Sequence, residues 1–151
     1  MASRFAHNDI VVELVELCEE TMLDISQQLN YYRASVYKAE TAETIRDRIE
    51  SLKLIVALLG DDMALEPIRD YEASELHRVM APIPGECSFT YRVNTLLSQL
   101  NIHLGETTSR LTATNSPAIL RLLASNVIQH RSQILSLCRH GSRQWAFFQT
   151  L

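Results

Sequence analysis

Apolar residues recur along this chain at alternating steps of three and four, the spacing that gathers them on one face of an α-helix. The pattern is fullest from Ile119 to about Phe148, where Leu120, Leu123, Val127, Ile134 and Leu137 share a stripe and His130 takes a seam position. Ser116 and Pro117 stand ahead of it as a start signal: a hydroxyl that accepts from an open amide, then a ring whose missing donor costs nothing in the first turn. One long helix is expected here, with Arg139, His140 and Gly141 as end chemistry and Trp145 to Phe148 either resuming as helix or free.

Three more stretches carry the same stripe. Ile10, Leu14, Leu17, Ile25, Leu29, Tyr32 and Val36 define a first long helix capped by Asn8 or Asp9. Its polar interruption falls at Thr21 and Asp24, and Glu13, Glu16, Glu19, Glu20, Gln27 and Gln28 face outward. After a break at Lys38 to Thr41, a second helix runs through Ile45, Ile49, Leu52, Ile55, Val56, Leu58 and Leu59 to a stop at Gly60. A shorter helix, Pro67 to Met80, shows one edge of Ile68, Tyr71, Leu76 and Val79 and ends at Pro82, Pro84 and Gly85. Ser88 caps the next, with Phe89, Val93, Leu96, Leu100, Leu104 and Leu111 in line and Leu97 and His103 flanking. The connection from Thr112 to Ser116 is short, so the helices on either side of it are expected as antiparallel neighbours. The pattern predicts an all-α, single-domain antiparallel bundle of four long helices with one short helix in the middle connection.

Composition narrows this further. Four Gly and four Pro in 151 residues are too few for a turn-rich sandwich or a disordered linker. Three cysteines, Cys18, Cys87 and Cys138, are an odd number without a C-x-x-C pair, which suggests neither a disulfide framework nor a zinc knuckle. The longest apolar run, Leu54 to Leu59, is too short to span about 30 Å of hydrocarbon. Residues 1–8 show no basic segment leading into an apolar one. A reducing, cytoplasmic setting follows as the expectation.

Charge is uneven. Residues 1–75 hold 16 acids against 7 Lys and Arg, and residues 76–151 hold 2 acids against 7 Arg, so balances of -9 and +5 make the total of -4. Either acidic early helices pair laterally with basic late ones, or two faces of opposite sign are offered to a partner. Seven Arg without a Lys cluster or interleaved aromatics do not make a nucleic-acid surface.

Candidate chemistry is sparse. His103 lies roughly ten residues before the Thr112 to Ser116 turn and His130 roughly fourteen after it, so at 1.5 Å per residue their levels differ by about 6 Å. Neutral imidazoles in a bundle core are competent ligands, and Glu20 or Asp24 on the first helix would complete a site for Fe, Mn or Zn. The opposing expectation is a core histidine satisfied by a backbone carbonyl or a Thr hydroxyl. The row of helix-one carboxylates reads in the same two ways, as hard-cation ligands or as a wetted helix face. Helix order and size resemble the ferritin-like four-helix superfamily, including small bacterial members of this length without assigned function. The resemblance implies a bundle over Asn8 to about His140, but the family's Glu-x-x-His motif is missing. Val127 stands three before His130, Leu100 three before His103, and Glu75 only two before His77. No G-x-S-x-G elbow or Gly-rich phosphate loop occurs. The chain therefore reads as a non-catalytic protein that binds a protein partner or itself, with a homodimer expected. Trp145, Phe147 and Phe148 are the candidate contact residues: such rings bury roughly 150–250 Å² each, either in the chain's own open end or on another copy.

Overall fold

A computed structural model describes residues 7–80, 89–114 and 116–151, and all regular structure among them is helical. The expectations for Pro82, Pro84, Gly85, Cys87 and the Ser88 cap lie outside the described residues. Seven helices follow in order: α1 His7–Ala34, α2 Lys38–Leu58, α3 Asp62–Met80, α4 Phe89–Ala113, α5 Pro117–Gln129, α6 Arg131–Leu137 and α7 Arg143–Thr150. None is long and apolar enough to cross a membrane.

α1 buries Ile10, Leu14, Leu17, Ile25 and Leu29 as its stripe demands, and adds Val11, Val15, Cys18 and Met22. That arc is too broad for one neighbour, and α1 packs on α2, α4 and α5. The stripe does not extend to Val36, which is 89% exposed and lies beyond the end of the helix. There Lys38 Nζ donates to the carbonyls of Tyr32 at 2.9 Å and Arg33 at 3.3 Å, closing the last turn as a cation at a helix C-terminus does. α2 ends as expected at Gly60, whose φ of +71° is open to glycine at no steric cost.

The next residue acts as a start signal. Asp61 Oδ1 accepts from the N–H of Met63 at 3.0 Å, so α3 begins at Asp62 and not at Pro67. Pro67 falls inside the helix, where it removes one backbone bond, to the carbonyl of Met63 on an exposed turn. α3 is thus a full partner: it packs on α4 and α2, with Leu76 turned outward at 61% exposure.

The largest departure concerns the stretch after Ser116. Ser116 caps α5 through the N–H of Ile119, as the sequence indicates. The helix then stops at Gln129, because His130 turns to φ −104° and ψ 19° and its ring Nδ1 lies 2.8 Å from the carbonyl of Asn126. A side chain bonding to a nearby carbonyl competes with helix continuation. α6 restarts at once, extended Cys138 ends it, and Gly141 at φ +80° turns the chain into α7, capped by Ser142. The expected single helix is therefore three. Nor is its main packing on α4: α5 packs on α1 and α2.

The tail closes the core. Phe148 is fully buried and Phe147 nearly so, their rings in edge contact at 5.1 Å, while Trp145 is half-buried with its ring 4.5 Å from that of His140. Arg143 of α7 reaches both Glu13 and Glu16 of α1. Glu13, expected to face water, is buried beneath that pair. Replacing Phe148 with Ala is expected to cost about 3–5 kcal/mol, the range for emptying a buried aromatic site. Urea unfolding followed by circular dichroism measures it, and a loss below about 1 kcal/mol would place the tail outside the core.

Candidate functional site

Charged residues seldom enter a core without a partner, and α4 carries one that does. Arg92 stands three residues after Phe89, on the apolar seam, and is only 7% exposed. Its Nη1 lies 2.6 Å from Oε1 of Glu75 on α3, a close ion pair that is not an aligned hydrogen bond. Arg46 of α2 approaches the other oxygen of Glu75 at 3.7 Å, and the hydroxyl of Tyr71 donates to Oε1 at 3.1 Å. Both guanidinium groups lie against the ring of Phe89, at 5.2 Å for Arg46 and 5.8 Å for Arg92, and Phe89 in turn meets Tyr32 of α1 at 5.1 Å. Two cations thus share one carboxylate where α2, α3 and α4 meet.

Burial pushes the Glu75 carboxyl up. The contact and charge of Arg92, the charge of Arg46 and the Tyr71 hydroxyl outweigh it, so the group is held below the ordinary carboxylate range. Tyr71 moves the other way, raised by burial and then by Glu75. Beside the cluster, α3 and α4 leave a hollow of about 240 Å³ lined by Pro67, Asp70, Tyr71, Ser74, Tyr91, Arg92, Thr95, Leu96 and Gln99. The signal for this site was a lone Arg at a stripe position of α4 together with Tyr71 and Glu75 one turn apart on α3. Sequence reasoning passed over both in favour of the histidines.

The residues singled out for metal binding are not brought together. His103 lines a shallow hollow against α3 with Glu66, Pro67, Asp70, Gln99 and Ile102, its Nδ1 4.0 Å from Glu106 of its own helix. His130 sits in the turn after α5, its Nδ1 committed to a carbonyl. Glu20 and Asp24 line a separate hollow with Arg48 and Cys138, and Asp24 accepts from Arg48 Nε at 2.7 Å. The cause is the packing of α5 on α1 and α2, which leaves His103 facing α3. Among the described residues no three His, Cys, Asp or Glu side chains gather as metal ligands.

A second charged node ties the α2 to α3 turn to α4. Asp61 accepts from the Thr107 hydroxyl and, at 2.6 Å, from Arg110. The two described thiols are quiet: burial and Glu19 push Cys18 up, and burial with Glu20 and Glu13 pushes Cys138 up to about 11. Comparison with protein-family models, with curated proteins and with solved structures gives no match.

Glu75 and Asp61 make stability depend on pH. Burial raises Asp61 too, but Thr107, Arg110 and the Met63 amide bring it below its ordinary value. A folded pKa lower than the unfolded one contributes stability that is present above the unfolded value, near 4, and is lost as pH falls through the folded one. Urea midpoints should therefore drop below about pH 4. The drop should be shallower in Asp61→Asn and in Glu75→Gln, both less stable than the parent at neutral pH. An unchanged acid slope in both variants would contradict this assignment.

Proposed function

We propose that this chain is a non-catalytic, self-associating helical protein, and that α5 is its contact surface with a second copy. One observation carries the reading. α5 is apolar on both sides: Leu123 and Val127 are buried, while Ile119, Leu122 and Ile128 are 49%, 63% and 48% exposed. Its only charged residue is Arg121. Exposed apolar side chains on a helix ask for cover, and α1 and α2 cover the side that carries Leu123 and Val127. A face with a single charge suits a two-fold contact, in which both copies present the same patch and like charges near the axis repel.

The reading assigns α1 to α4 to an antiparallel bundle. Asp24 of α1 pairs with Arg48 of α2, Arg46 and Lys53 of α2 with Glu75 and Glu72 of α3, and Glu75 and Asp61 with Arg92 and Arg110 of α4. Along the α2 to α3 and α3 to α4 pairs, numbers rise on one helix as they fall on the other. A scaffold role is supported by what the reactive groups do. Asp61 and Glu75 are held below the ordinary carboxylate range with the help of arginines, and both described thiols are shifted away from the thiolate.

Sedimentation equilibrium of the full chain should report a dimer, and Leu122→Asp should shift it to monomer at micromolar concentration. That exposed substitution should move the urea midpoint little, by about 0.5 kcal/mol or less. A parent chain that is monomeric throughout overturns self-association, and a Leu122→Asp dimer overturns the choice of α5.

A further inference from the structure

We infer that the hollow between α3 and α4 is a binding site for a small organic carboxylate, held through Arg92. Three independent features of the site lead there. Arg92 is more than nine-tenths buried, yet among the described residues its Nε–H meets no acceptor and its Nη1 makes only the off-line contact with Glu75. A buried donor left unmet is costly, more so when charged, so an acceptor supplied from outside gains what the fold leaves open. A carboxylate suits a guanidinium because its two oxygens match the planar fork of N–H donors.

Charge agrees with that assignment. Arg46 and Arg92 share Glu75, so the cluster carries one positive charge in excess, and Tyr71 contributes a neutral hydroxyl. Outlying acids work against the anion: Asp70, exposed at the hollow, Glu43, exposed and 3.7 Å from Arg46, and Asp47, Glu50 and Glu72 around Arg46. Being in water, they are screened more than the buried pair.

Shape sets the rest of the ligand. Pro67, Tyr71, Tyr91 and Leu96 supply apolar walls, and Ser74, Thr95 and Gln99 supply polar groups. A volume of about 240 Å³ exceeds the roughly 150 Å³ apolar cavity that accepts benzene, so there is space for one ring or short branched chain and its carboxylate. This is the usual composition of a small-molecule site, apolar lining with few placed polar groups. The site lies on the α3 to α4 flank and does not rest on association through α5.

Benzoate is the probe, with acetate as the anion lacking a ring and benzyl alcohol as the ring lacking a charge. Titrations of the full-length chain followed by ¹H–¹⁵N correlation spectra should show saturable benzoate shifts at the Arg92 Nε–H and at amides from Tyr91 to Gln99. Acetate and benzyl alcohol should bind at least about tenfold more weakly, the factor for one charge-assisted contact or one buried ring. Thr95→Phe, which fills the hollow without touching the ion pairs, should abolish the shifts in a protein whose spectrum is otherwise folded. Asp70→Asn should strengthen binding by removing the opposing acid. No saturable benzoate response in the folded parent chain overturns the proposal. So does equal affinity for benzyl alcohol, or unchanged binding by folded Thr95→Phe.

Discussion

The rest of the molecule depends on the burial of α1. Its apolar positions are not a stripe but an arc, with Val11, Leu14, Cys18 and Ile25 fully inaccessible and Ile10, Leu17 and Leu29 nearly so. At roughly 1.5–3 kcal/mol for each large apolar side chain taken from water, no other helix offers as much to its neighbours. α2 and α4 take most of that surface and α5 takes a share, which draws α5 away from α4. Once α5 lies across α1 and α2, the chain after it must return to the start of α1 to be covered. It does so in two short helices that put Ile134 and Phe148 into the core.

Helix content and most of the inward faces were readable because periodicity is a local property. Ile45, Ile49, Leu52 and Val56 keep their spacing whatever they pack against, and so do Val93, Leu96, Leu100 and Leu104. The break at His130 was not readable. It falls where the step from Val127 to Ile134 equals two ordinary steps, so a one-residue turn leaves the spacing intact. No Gly or Pro marks it, and the competing bond from the ring to the Asn126 carbonyl is a feature of the fold. The start of α3 was available in principle. Gly60 ends one helix, and Asp61 beside it, a residue type that caps helices, opens the next.

The charge asymmetry resolves in the same physical terms. Arg92, Arg110 and Arg143, all in the basic half, bind Glu75, Asp61, Glu13 and Glu16 in the acidic half. These are lateral pairs between helices far apart in sequence. Surface pairs of this kind add little, but where one member is buried the loss of its partner leaves a buried charge unanswered. Glu13, Asp61 and Arg92 are the buried members, and each specifies which helix must come alongside. His103 and His130 lie apart for a related reason: α5 packs on α1 and α2, and partner choice here follows buried area rather than order along the chain.

Helix order then separates the two open features of the surface. α5 touches α1 and α2, whereas the hollow beside Arg92 is formed by α3 and α4. A copy docked on α5 therefore need not cover the hollow, and a ligand in the hollow need not meet the partner. The two differ in kind as well. On α5 the driving force is apolar area with hardly any charge, so affinity for a second copy should change little with salt. In the hollow the anchor is a guanidinium whose surplus charge is shielded from water but answered by exposed acids. Ionic strength acts mainly on those acids, because buried pairs are screened far less than surface ones. Moderate salt would weaken the repulsion from Asp70 more than the attraction of Arg92. That distinguishes a site built around a buried arginine from a patch of surface arginines, where added salt only weakens binding.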